Sequence, residues 1–240
     1  MWMTFNGNGL VTSNGTGWGY TPYVPPVDPY NPYNLPDGTI RYKFDDASYD
    51  PSTDHPSLVG GQWTQVSSIP NVWDWSITSI NPSLVGRFRN AFGGLAGTFH
   101  ILCANLTGRN YQNDLYETWR DCSRLATVSM MDTRNVSDFQ GAFAGSGIRH
   151  VAALPLSGRC FQMFSHCTSL VDIPQFENLG VGNCQEMFAE CGNVESGILD
   201  CYSSLSQPTP VVSHYQCFMN CGINTLTGAA ELAQIPSDWK

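Results

Sequence analysis

The sequence predicts an α+β repeat protein, a short solenoid preceded by a small β unit and an extended N-terminal arm. Two observations carry that prediction. First, an aromatic residue followed three positions later by a cysteine or a small residue recurs through the second half of the chain. The pairs are Trp119 with Cys122, Phe143 with Ser146, Phe164 with Cys167, Phe188 with Cys191 and Phe218 with Cys221. Their aromatics stand 24, 21, 24 and 30 residues apart, a period at which each unit is one supersecondary element that buries its apolar face only by stacking on its neighbours. Second, charged residues make up only 13% of the 240 residues and hydrophobic ones 42%. That supplies a packed core and is too apolar for global disorder.

Residues 1–36 form a block of their own. Asn6-Gly7, Asn14-Gly15 and Pro25-Pro26 are turn and polyproline signals, and Asp28 is the one charged side chain. The block nevertheless holds Trp2, Phe5, Trp18, Tyr20, Tyr23, Tyr30 and Tyr33. A flexible linker would have few aromatics, so these seven predict an extended arm that orders against a partner. Residues 37–83 read as strands. Thr39–Phe44, Gln62–Val66 and Val72–Ile77 alternate apolar and polar side chains with period two, and a turn at 67–71 separates the last two. This small β unit is expected to lead into the solenoid as its N-terminal cap.

The repeats occupy residues 84–228. A degenerate first copy is Phe88 and Phe92 with Leu95. One phrase recurs almost literally, as Cys160-Phe-Gln-Met-Phe164-Ser-His-Cys167-Thr-Ser-Leu170 and Cys184-Gln-Glu-Met-Phe188-Ala-Glu-Cys191. Spacings of three and four around Phe164 predict that Cys160, Phe164 and Cys167 share one inward helical face, followed by a brief strand over Leu170–Ile173. The same frame expects Trp119, Cys122, Phe143, Cys184, Phe188, Cys191, Phe218 and Cys221 in the repeat core. In residues 229–240 an amphipathic stretch ends at Pro236, which suits a C-terminal cap.

These phrases resemble the BspA-like leucine-rich repeats, whose units read Met-Phe-x-x-Cys-x-x-Leu before a short strand. Met163-Phe164-Ser165-His166-Cys167-Thr168-Ser169-Leu170 fits every position, and Met187 to Val194 fits with Val for Leu. Cys217-Phe218-Met219-Asn220-Cys221 lacks the Met, and Ala142 to Ser146 lacks both Met and Cys. The segment from Met131 to Phe139 also looks like that family's linking Asp-Thr-x-x-Val stretch. The resemblance implies a leucine-rich-repeat solenoid and surface adhesion or recognition in bacteria and their phages, and it fixes no ligand. The first half, with the strand pair of the type Pro36-Asp37-Gly38-Thr39-Ile40-Arg41-Tyr42-Lys43-Phe44 and the segment Val72-Trp73-Asp74-Trp75 ahead of such repeats, looks like proteins encoded by gut bacteriophages and prophages.

The charge balance and the cysteines limit the chemistry. A formal net charge of -9 and a pI near 4.8 argue against a nucleic-acid or anionic-membrane partner, because counterion release needs clustered cations. No apolar run reaches the 18 residues or more of a membrane span, and the start has neither the basic nor the long apolar region of a signal peptide. The nine cysteines could be core thiols, disulfides or metal ligands. They follow the repeat, and seven-residue spacings such as Cys160 to Cys167 do not suit a zinc knuckle, so a ladder of buried thiols is the favoured reading. Replacement of one cysteine by Ser146 fits packing better than ligation. His166 neighbours Cys167, but adjacent residues of a helix point apart, which disfavours a nucleophile–base pair. The acidic stretch with Asp45, Asp46, Asp50 and Asp54 lacks the Gly-centred EF-hand loop. No nucleotide-binding or hydrolase signature occurs, so no enzyme activity, metal or cofactor is expected.

The function expected from this reading is a non-enzymatic virion protein, such as a head fibre or tail-associated adhesin. The arm would anchor to a capsid or tail protein, and the solenoid would bind a host-surface glycan or protein. The chain is expected to form a homo-oligomer. A bacterial cell-surface adhesin of the same repeat class is the alternative. Arg134, Arg149 and His150 are candidates for an exposed binding face.

Overall fold

The structure is a computed structural model that describes residues 3–5, 9–13, 18–22, 31, 34–54, 60–67, 69–78, 84–93, 95–107, 115–206 and 211–240. Among them the chain is mostly β and forms a β-solenoid with few helices. In the N-terminal block, where the sequence predicts an extended arm, the described residues pair as an antiparallel three-stranded sheet. Strands β1 (Met3–Phe5), β2 (Gly9–Ser13) and β3 (Trp18–Pro22) pair in sequence order. Asn6-Gly7 and Asn14-Gly15, a strong hairpin signal, lie between them. Val11 pairs with both Met3 and Tyr20. Trp2, Tyr23, Tyr30 and Tyr33 lie outside the described residues.

Six strands form the main sheet, in the order β5-β6-β4-β7-β8-β9. Strand β6 (Val72–Ile77) pairs antiparallel with β5 (Gly61–Gln65) on one side and with β4 (Thr39–Phe44) on the other, and β4 also runs antiparallel to β7 (Phe99–Asn105). From β7 onward the pairing is parallel, to β8 (Leu125–Asp132) and then β9 (His150–Val151). The alternation read in Thr39–Phe44 sends Ile40, Tyr42 and Phe44 inward, all fully buried. There Tyr42 and Phe44 meet Trp63, Phe92 and Phe99 at ring-centroid distances of 5.3 to 6.3 Å. The buried Tyr42 hydroxyl accepts a 2.9 Å hydrogen bond from Trp119 Nε1, which ties the antiparallel unit to the first full repeat. A second, two-stranded parallel sheet joins β10 (Pro155–Arg159) to β11 (Glu177–Asn183).

The repeat itself is a stack. Phe88, Trp119, Phe143, Phe164, Phe188 and Phe218 lie ring over ring, with successive centroids 6.1, 5.0, 5.3, 5.3 and 5.6 Å apart and planes within 3° to 7° of parallel. The backbone N–H of each donates to a carbonyl of the next coil at 2.7 to 2.9 Å, with Trp239 supplying the last acceptor. The N–H groups of residues 117, 141, 162 and 186 make the same bond one dipeptide earlier. All twelve residues expected in the repeat core are fully buried.

The inward face of each repeat is made by successive β-turns and not by the helix the spacing suggested. Met163 N donates to Cys160 O, Ser165 N to Gln162 O and Cys167 N to Phe164 O at 3.1 to 3.2 Å. Gln162 and His166 have φ of 54° and 60°, which an α-helix cannot hold. The same two outward positions carry positive φ in the other coils, at Asn90, Glu117, Asp121, Glu186, Glu190, Gln216 and Asn220 and at glycines 86, 141 and 145. The strand expected over Leu170–Ile173 is reduced to a single bridge between Asp172 and Ser196, because Pro174 has no N–H to extend it.

Helices are peripheral: α1 (Pro51–Asp54), α2 (Ile198–Ser206) and α3 (Leu226–Gln234), the last capped by Thr225 Oγ1 on Gly228 N. After α3 a 3-10 turn over Ser237–Trp239 lays Trp239 on Phe218 at 6.4 Å, and Lys240 Nζ reaches the terminal carbonyls of α3. None of these helices is long and apolar enough to cross a membrane.

Gly197, just before α2, has the backbone of the neighbouring coil packed directly against it. Its φ is 92°, and a Cβ there would sit 1.8 Å from the Ile173 carbonyl oxygen. Gly197→Ala is therefore expected to lose at least about 2 kcal/mol, since backbone strain and an unavoidable clash add together. Guanidinium unfolding measures this. Gly180→Ala, at a φ of 110° with open space around it, carries backbone strain without the clash, so it is the control and should lose less than Gly197→Ala.

Candidate functional site

Cysteine occupies the repeat position for a specific reason. Sγ of Cys122 donates to Phe88 O at 2.8 Å, Sγ of Cys167 to Phe143 O at 3.1 Å, and Sγ of Cys191 to Phe164 O at 3.1 Å. Each thiol thus satisfies the carbonyl of the ring one coil back while filling the core as a small apolar group. Ser146 Oγ takes the same place and meets Cys167 Sγ at 3.4 Å. All nine cysteines are buried free thiols. Burial pushes Cys122 up to about 12 and Cys167 to about 11, and raises Cys160, Cys191, Cys201, Cys217 and Cys221 as well. Such groups are poor nucleophiles. Among the described residues no three His, Cys, Asp or Glu side chains group to hold a metal ion.

The remaining titratable candidates are distributed over the surface. His166 and Cys167 point apart, the imidazole to Ser165 Oγ at 2.8 Å and the thiol inward. In the acidic stretch, Asp46 and Asp50 accept from the backbone and hydroxyl of Ser48 and Ser52, the local caps expected of a solvated loop. Asp45 accepts from Thr98 Oγ1 and from His100 Nε2 at 3.1 Å, and the first of these bonds holds its carboxyl below the usual range. His100 Nδ1 meets Thr127 Oγ1 at 2.8 Å, and His150 pairs with Asp172. These bonds run across β7, β8 and β9 as a polar row on the outer face of the sheet.

Among the described residues, two hollows on the solenoid stand out. The larger, about 450 Å³, is lined by Met130, Met131, Asp132, Arg134, Ala153, Leu154, Pro155 and Glu177. There Arg134 grips the nearly buried Asp132 with two bonds of 2.9 and 2.6 Å. Of the three candidates for an exposed face, Arg134 lies at this hollow, while Arg149 and His150 lie at the start of β9, exposed. The smaller, about 310 Å³, is a notch on the turn edge lined by Arg120, Asp121, Ala144, Gly145, Gln162, Ser165 and His166. It exists because one coil carries glycine at both outward positions, 141 and 145, where its neighbours carry Glu117 and Asp121 on one side and Gln162 and His166 on the other. Arg89 and Arg120 both bond Glu117, at 2.8 and 2.9 Å, and fix one wall.

Beside the notch runs a row that no local motif announces. The residue just before the first positive-φ position lies on the outer side of each coil, and after Val85 in the degenerate first coil the ladder bonds align these residues as Tyr116, Gln140, Phe161, Gln185 and Tyr215. From Tyr116 onward aromatic and amide side chains alternate, one per rung. Tyr215 is 58% exposed and the others are half-buried. The rigid stack beneath holds them in register at the ring spacing of 5.0 to 5.6 Å. No protein-family model, curated protein or solved structure matches the chain.

Proposed function

We propose that the chain is a non-enzymatic recognition protein of the BspA-like leucine-rich-repeat class, carried on a phage particle as a head fibre or tail-associated adhesin. The N-terminal block anchors it to a capsid or tail protein, and the solenoid presents the binding face. The observation that carries this reading is the turn edge, where a continuous buried stack displays outward side chains at one fixed spacing. Such a surface suits the recognition of a long partner, and it needs no movement to bind. The raised thiols support a non-catalytic role, because they are protonated and enclosed at neutral pH.

Virions purified by density gradient test the attachment. The protein is expected in the particle fraction, and a chain lacking residues 1–36 is expected to be folded but absent from it. A protein missing from purified particles and recovered in the bacterial envelope would replace this reading with the cell-surface adhesin.

A further inference from the structure

We propose that the row Tyr116, Gln140, Phe161, Gln185 and Tyr215 is a binding track for an extended, neutral, β-linked glycan, laid along the solenoid axis with one sugar ring per rung. The inference rests on the recognition reading above and names its ligand class.

Three properties of the row lead there. The first is pitch. The rungs follow the ring spacing of 5.0 to 5.6 Å, which is comparable to the length of one pyranose ring in an extended β-linked chain. A peptide strand advances only about 3.3 Å per residue and polyproline about 3.1 Å, so neither puts a residue in step with each rung. The second is chemistry. A pyranose has an apolar C–H face and a rim of hydroxyls. The faces of Tyr116, Phe161 and Tyr215 on alternate rungs suit the first, and the amides of Gln140 and Gln185 between them both donate and accept toward the second. In a chain whose successive rings are turned over, that alternation matches ring to ring.

The third property is charge. The net charge of -9 disfavours an anionic polymer. The notch next to Phe161 offers Arg120, Asp121, Gln162 and His166, a mixed set of donors and acceptors suited to a polar substituent rather than to one sign of charge. The backbone beneath is fixed by the ladder bonds, so binding orders little beyond the ligand itself.

The test is calorimetric titration of the full chain with linear β-1,4-linked oligomers of glucose and of N-acetylglucosamine, two to six units long. A proline-rich decapeptide and an α-1,4-linked glucose hexamer are the comparison ligands. At least one β-linked series is expected to bind, with affinity rising at each added unit until the five rungs are filled. Tyr215→Ala, at an exposed position, and Phe161→Ala are each expected to weaken the hexamer at least about tenfold, the loss of one anchoring contact. Phe161→Tyr is expected to retain binding and reports on the row if Phe161→Ala unfolds. Hexamer binding unmoved by both Tyr215→Ala and Phe161→Ala overturns the proposal, as does a proline peptide that binds where no sugar does. Should the protein adhere to host cells while binding none of the sugars, and should Tyr215→Ala leave adhesion unchanged, the glycan track falls and the recognition reading stands. Absence of any host adhesion removes the recognition reading itself.

Discussion

Raising the pH from 8 to 10 is expected to unfold the protein cooperatively. Seven buried thiols, Cys122, Cys160, Cys167, Cys191, Cys201, Cys217 and Cys221, hold their protons far above the ordinary value of 9.0, because burial penalises the thiolate. In the folded state Cys167 stays protonated to about pH 11 and Cys122 to about pH 12. In the unfolded chain the same groups ionise near 9. Between those limits the unfolded state binds fewer protons than the folded one, so stability is intact below about pH 9 and falls as pH rises. Each thiol contributes a slope of about 1.4 kcal/mol per pH unit. Seven acting together approach about 10 kcal/mol per unit, as large as the whole stability of an ordinary domain. The buried Tyr42 phenol, raised by its desolvation, adds to the same trend at higher pH. Guanidinium midpoints from pH 6 to 10.5 check this. They should be level to about pH 8 and collapse above 9, and the nine thiols should resist alkylation until that transition. Equal midpoints at pH 7.5 and 10 would contradict the thiol account.

Much of this architecture is legible in the sequence, and the exceptions have a common cause. The period of the aromatic–cysteine frame identifies the stack, since only a ring that meets the same ring in the next coil recurs so regularly with its neighbours. Strand β4 is readable to the residue because the alternation of Ile40, Tyr42 and Phe44 meets one buried face. The turns are not readable as turns. Spacings of three and four bury the same side chains in a helix and in consecutive β-turns, so Cys160, Phe164 and Cys167 fit either. The separating signal sits at the outward positions, where Gly141, Gly145, Asn90 and Asn220 are the residue types that accept positive φ. Glu117, Gln162, His166, Glu186 and Glu190 occupy the same positions and obscure it. The row from Tyr116 to Tyr215 is hidden for another reason. Its members share a place and not a chemistry, and only the ladder bonds reveal that Tyr116, Gln140 and Phe161 are neighbours.

Phe164→Ala tests whether the stack is the spine of the protein. Phe164 is fully buried, with Phe143 and Phe188 each 5.3 Å away and planes 7° and 5° from its own, and Phe176 closes the side at 6.1 Å. Truncating a buried phenylalanine costs about 3–5 kcal/mol. Two stacked partners are lost with it, each worth about 0.5–1.5 kcal/mol beyond burial, which places this site at the upper end of that range. In a solenoid each coil is stabilised by its two neighbours, so the gap uncouples the coils before Phe143 from those after Phe188. A fall in melting temperature on the order of 10 °C or more is expected, with the transition broadening or splitting in two. Phe164→Leu keeps most of the volume and should lose less than half as much. Phe218→Ala leaves only one near-parallel neighbour, Phe188 at 5.6 Å, since Trp239 is 6.4 Å away and tilted by 25°. It should therefore cost less than the central change and keep a single transition. If the two alanine variants lose equal stability with equally sharp transitions, each ring stabilises only its own coil and the stack transmits nothing along the axis.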